Sequence, residues 1–187
     1  MPVVLSFLLS VTWPAPVPPV SERWRAWPVT RVFPATVPGH SPSGARVTYV
    51  LAGVAPEAAC PAAFQAAAVL PYWPYCRVAL RATYADSTQT FVVTAGIAVL
   101  DRPGFFRHGS GRPATVRPAA FPGGPAARFG DRQYVTGVVL GSPGRYLVAT
   151  AAGYADGRAY RPGDPVASRL RAAARQVATS LHRALTR

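Results

Sequence analysis

Residues 76–100, CRVALRATYADSTQTFVVTAGIAVL, carry the pattern from which the fold follows. Cys76 to Tyr84 alternates: Val78, Leu80, Ala82 and Tyr84 fall on one side of an extended chain, Arg81 and Thr83 on the other. That period of two is the mark of a strand with distinct faces. Asp86-Ser87 then offers a turn, because a short Asx side chain bonds its own backbone a few residues on. Gln89 to Leu100 follows as a second strand, apolar on both faces, which predicts a central strand covered on two sides. Together they predict a β-hairpin.

Working outward, Arg46 to Ala52 (RVTYVLA) reads as an earlier strand ended by Gly53. Pro56 and Glu57 then suit the start of an Ala-rich helix over about 57–70, since proline is tolerated in a first turn and an acid favours the helix N-terminus. Pro61 lies inside it and can delay its start. Downstream, Gln133 to Leu140 and Arg145 to Ala152 form a second hairpin around Gly141-Ser142-Pro143-Gly144. Asp164 and Pro165 are suited to N-cap and first-turn positions. Beyond them Val166, Leu170, Ala173, Val177, Leu181 and Leu185 recur at three- and four-residue spacing, one apolar stripe of a helix. Arg169, Arg171, Arg175 and Arg183 occupy its other faces. The stripe is expected to cover the sheet; a basic amphipathic helix lying on a membrane is the alternative. The fold class is therefore α+β: a mostly antiparallel sheet of about five strands in the order β-α-β-β-loop-β-β-α, packed by an Ala-rich helix and a C-terminal amphipathic helix.

The domain plan places an apolar signal or anchor remnant and a proline-rich spacer at 1–20. An extended Trp/Pro-rich lead carrying Trp24, Trp27 and Phe33 occupies 21–45. A single α+β domain over 46–187 contains an irregular, exposed Arg/Gly/Pro loop at 101–130. The apolar run Val3 to Trp13 rises about 16 Å as a helix, too short to span a bilayer alone but long enough for a signal core. A strand or helix buried in the domain is the other reading of that run.

The 187 residues carry 20 cationic side chains against 7 acids, a net charge of +13, and every one of those cations is Arg. Coding bias toward GC-rich codons explains Arg over Lys but not the scarcity of acids. The field favours anionic partners, with a plain solvated surface as the alternative. Arg102, Arg107, Arg112, Arg117 and Arg128, in and around the long loop, form a candidate anion-binding set beside Phe105, Phe106 and Phe121; nucleic acid is the weaker partner for an exported chain. Asp86 and Asp156 close the matching triplets Tyr84-Ala85-Asp86 and Tyr154-Ala155-Asp156, and are read as turn carboxylates rather than a paired acid–base or cation site. Two cysteines, Cys60 and Cys76, lack the further ligands of a zinc site and the spacing of a redox motif. They form either a disulfide, in an oxidising compartment, or two reduced buried thiols. His40, His108 and His182 do not gather with a nucleophile; His108 with Ser110 is the nearest approach to a hydrolase site. No catalytic, metal or cofactor assignment follows.

RATYADSTQTFVVTAGIAVL (81–100), with the cysteine pair before it and the tryptophan-proline lead, resembles uncharacterised exported or membrane-associated proteins of high-GC actinobacteria. The resemblance spans about 22–160. It implies an extracytoplasmic place, secreted or membrane-anchored, with no known activity. The expected function is a non-enzymatic, membrane-tethered module that docks a protein or envelope component. Peripheral binding to anionic lipid or wall polymer through Arg-rich surfaces is the second expectation, and a hydrolase with an unrecognised site the third.

Overall fold

A computed structural model describes residues 23–65, 74–104, 116–131, 134–141 and 144–186. The order is α1 (Arg23–Ala26), α2 (Val29–Val32), β1 (Thr36–His40), β2 (Arg46–Ala58), α3 (Cys60–Ala63), β3 (Cys76–Asp86), β4 (Phe91–Gly104), β5 (Tyr134–Gly141), β6 (Gly144–Tyr154) and α4 (Ala167–Thr186). The strands form one sheet in the order β1-β2-β3-β4-β6-β5, with every adjacent pair antiparallel. Both expected hairpins are present, and the fold is α+β with the sheet dominant.

The alternation in β3 and β4 sorts their side chains onto two covered faces. Val78, Leu80, Ala82 and Tyr84 join Val93, Ala95, Ile97 and Val99 beneath the stripe of α4, where Leu170, Val177 and Leu181 are fully buried. Ala79, Ala98, Leu100, Ala149 and Ala151 face the other way, under Cys60, Ala63, Phe64 and Val116. The α4 stripe therefore lies on the sheet, as the periodicity predicts. Asp164 opens that helix: its Oδ1 accepts the Val166 amide at 3.1 Å and its carbonyl accepts Ala167 N–H at 3.0 Å.

Four expectations change. The 21–45 stretch is not a plain extended lead: it holds two single helical turns and β1, the sixth strand, which pairs with β2 from Thr36↔Val50 to His40↔Arg46. Pro38 is tolerated there because β1 is an edge, where a missing N–H costs no ladder bond. Gly53 does not end the next strand; β2 runs on to Ala58 through two register shifts. A Cβ at Gly53 would lie 2.4 Å from the Phe121 ring, so the glycine marks a close approach. Pro56 and Glu57 are accordingly in strand, and the Ala-rich helix is reduced among the described residues to the single turn Cys60–Ala63; residues 66–70 lie outside them. Finally, the described half of the 101–130 segment is not an exposed loop. Val116, Ala126 and Phe129 are buried, and the segment covers the second face of the sheet.

That cover is locked by a buried ring of hydrogen bonds. Ala119 N–H donates to Thr94 Oγ1 at 3.0 Å, and the Thr83 hydroxyl donates to Ala119 O at 2.7 Å. Thr83 has then spent its one proton, so the 2.7 Å contact between the two hydroxyls is a donation from Thr94 to Thr83. Gly96, two residues along β4 from Thr94 and opposite Arg81, leaves room for the cover: a Cβ there would meet Val116 at 2.5 Å.

Candidate functional site

Cys60 and Cys76 form a disulfide with their Cα atoms 6.2 Å apart, tying the α3 turn to the start of β3. It closes the chain around residues 61–75 and fixes the second layer to the sheet. The anion-binding set at 101–130 is only partly within the described residues: Arg107 and Arg112 lie outside them. Arg102 stacks 5.2 Å from the Tyr75 ring centre. Arg117 pairs with Asp131 at 3.9 Å, both side chains open to solvent. Arg81 reaches Arg117 O at 3.4 Å, and its guanidinium is held below the usual range by burial and by the Arg117 charge. Arg128 is exposed. Arg102, Arg117 and Arg128 thus occupy separate settings.

The two YAD carboxylates lie at one rim of the sheet, each in a turn. Asp86 is buried; its Oδ1 accepts the Thr90 and Phe91 amides, each at 2.8 Å, and its Oδ2 accepts the Thr88 hydroxyl. Asp156 is exposed, accepts the Arg158 amide at 3.0 Å and meets that guanidinium at 3.6 Å. Arg158 in turn lies over the Tyr154 ring, 3.8 Å from its centre. Burial and the bond donated to Asp164 push the Tyr154 phenol up to about 12. The same bond, with the Val166 amide, holds the Asp164 carboxyl below its ordinary value. His182 is half-buried on α4 and burial lowers its pKa; His108 and Ser110 lie outside the described residues. Among the described residues, no group of three or more His, Cys, Asp and Glu side chains converges on a metal position.

A set of clefts lies elsewhere, between α4 and the edge strand β1. Gln176 spans this gap. Its Oε1 accepts His40 N–H at 2.8 Å and its Nε2 donates to His40 O at 2.6 Å, so one side-chain amide completes the edge as a neighbouring strand's peptide would. Gly39 permits the approach: a Cβ there would stand 1.9 Å from Gln176 Oε1. Among the described residues, three clefts adjoin this bridge and all share His40. The first, about 330 Å³, runs between Arg169 and the Asp86 turn, over Tyr49. Burial and the Asp86 charge push the Tyr49 phenol up to about 12. The second, about 420 Å³, is lined by Arg171 and Arg175 opposite Ser41 and Pro42. The third, about 560 Å³, is lined by Arg175 and Arg183 opposite Pro38 and Gly39.

All four of these arginines are exposed, and residues 165–187 contain no acid. Among the described residues no carboxylate lies within ion-pair reach of them: Asp131 and Asp156 pair with Arg117 and Arg158, and Asp86 and Asp164 are engaged in turn bonds. The helix arginines are visible in the sequence as a solvated face. Their alignment with a trench is not, because the His40–Gln176 bridge joins residues 136 positions apart.

No family model, curated protein or solved structure matches this chain.

Proposed function

We propose that this protein is an extracytoplasmic interaction module that docks an anionic component of the cell envelope, held near the membrane by its N-terminal segment. The observation that carries this reading is the outer face of α4, where Arg169, Arg171, Arg175 and Arg183 stand exposed with no acid on the helix to balance them. The apolar stripe of that helix is used up against the sheet, so the basic face is what remains for a partner. A concentrated positive field attracts anionic surfaces and raises their encounter rate.

The compartment is supported by the Cys60–Cys76 disulfide, since such bonds persist where the surroundings oxidise. The tether rests on the apolar run Val3 to Trp13, which lies outside the described residues; among those described, no helix is long and apolar enough to cross a membrane.

The test is co-sedimentation of the purified protein with isolated envelope fragments over a range of salt. Retention at low salt that is lost as salt rises agrees with an electrostatic dock. Absence of retention at low salt, or retention indifferent to salt, rejects it.

A further inference from the structure

We infer that the trench between α4 and β1 binds a linear phosphodiester-linked wall polymer, whose anionic groups meet the arginines of its second and third clefts along the helix. This rests on the envelope-docking reading above and names its site and ligand class. The second and third clefts follow one another along the helix, with Arg171 and Arg175 at the second and Arg175 and Arg183 at the third; the first, with Arg169, shares His40, Ser41 and Pro42 with the second and is lined by Asp86 as well. Arg171 and Arg175 are one turn apart, about 6 Å, and Arg171 to Arg183 covers about 18 Å of helix. A linear polyanion presents charge at repeated intervals along such a path.

The guanidinium fork matches the paired oxygens of a phosphate and holds them by two charge-assisted bonds. Hydroxyl groups of Ser168, Thr179 and Ser180 line the same clefts and supply neutral donors beside the charges. Gln176 and His40 satisfy each other across the gap, so the edge of β1 is closed at that point to an added strand. An extended peptide pairing with β1 is thereby disfavoured, and Pro38 removes a further donor.

The charge complementarity selects the polymer over two other polyanions. A membrane surface is gripped by an amphipathic helix that inserts its apolar face, and in α4 that face is buried, with Leu170, Val177 and Leu181 inaccessible. Single-stranded nucleic acid is gripped by stacking its bases on aromatic rings. Among the described residues no Phe, Tyr or Trp lines the second and third clefts, and Tyr49 and Phe91 line the first alone.

The experiment compares binding of a labelled poly(glycerol phosphate) of defined length, phosphatidylglycerol vesicles and a single-stranded oligonucleotide. Two triple variants lose the same three charges: Arg171→Gln/Arg175→Gln/Arg183→Gln on the helix, and Arg102→Gln/Arg117→Gln/Arg128→Gln elsewhere. Glutamine keeps the helix propensity and the long stem, and circular dichroism checks that both variants fold. At low salt the helix triple is expected to lose on the order of 100-fold in polymer affinity, at about fivefold for each cation removed from an anionic partner. The other triple is expected to lose a few-fold through net charge alone. Equal losses in the two triples, or tighter binding of vesicles or oligonucleotide than of polymer, overturns the inference. If the wild type still sediments with envelope fragments while the helix triple binds polymer unimpaired, the trench is wrong and the docking reading survives. If the wild type does not sediment at all, the docking reading itself is wrong.

Discussion

Replacing Thr94 by Val tests the sealing of the second face. Valine keeps the shape of threonine, so no cavity opens, and only hydrogen bonding changes. The Ala119 amide, which donates to Thr94 Oγ1 at 3.0 Å, is left buried without an acceptor, and the 2.7 Å bond between Thr94 and Thr83 disappears. Thr83 and Thr94 are both fully buried, so water does not replace the lost partners without opening the layer. A stranded buried amide costs about 1–3 kcal/mol and a lost neutral bond about 1 kcal/mol, giving a loss on the order of 2–4 kcal/mol. The double variant Thr83→Val/Thr94→Val is expected to fall short of the summed singles by about 1 kcal/mol, because both singles count the Thr83–Thr94 bond. Urea midpoints with matched slopes give these differences, and amide exchange at Ala119 reports the layer directly. If Thr94→Val shifts stability by less than about 0.5 kcal/mol, as an exposed substitution would, the 116–131 segment does not cover the sheet as described.

Leu181→Ala, a fully buried position of the α4 stripe, is expected to lose about 2–5 kcal/mol in urea unfolding, whereas an unchanged midpoint would place the helix off the sheet. Replacing both Cys60 and Cys76 by Ala releases a loop with a sequence separation of 16, worth about 3 kcal/mol in the chain-entropy account. The thermal midpoint then falls by roughly 6–12 °C, and no fall would mean the sulfurs are unpaired in the protein as made. Tyr49 and Tyr154 both have phenols raised to about 12, above the ordinary value of 10.0. Their neutral forms therefore support the fold fully below pH 10.0 and lose that support as the pH rises toward about 12. Tyr154→Phe should flatten part of this alkaline fall in a thermal-midpoint series; an unaltered slope would remove the Tyr154–Asp164 bond from the account.

The hairpin of residues 76–100 and the helix near the C-terminus were legible because each repeats a simple period over many residues. Their hydrophobic positions are also the ones buried between layers. β1 escaped notice because it has only five residues with a proline at its centre, a composition that local propensity assigns to irregular chain. The strand end placed at Gly53 and the helix start at Pro56 followed sound local rules, which the packing of Phe121 against a side-chain-free position overrides. Gly39, Gly53 and Gly96 are interior strand glycines at which another chain segment comes close, and that was the available signal. The 116–131 cover has no period at all; buried polar contacts and scattered apolar side chains hold it.

The candidate site was half legible. The excess of Arg favours anionic partners, and its densest run, among Gly and Pro, puts the expected anion-binding set at 101–130. There Arg102 and Arg117 instead engage Tyr75 and Asp131. The trench requires α4, β1 and the Asp86 turn to meet, which is a property of sheet order and curvature rather than of any one segment.

The exposed guanidinium row of α4 makes a numerical claim about salt. Binding of the intact protein to poly(glycerol phosphate), followed as log affinity against log salt concentration, counts the phosphates neutralised. Three to four arginines predict a slope of about −2 to −3, by analogy with flexible single-stranded polyanions. A slope near zero would show that the association does not run through these charges, and would contradict the account.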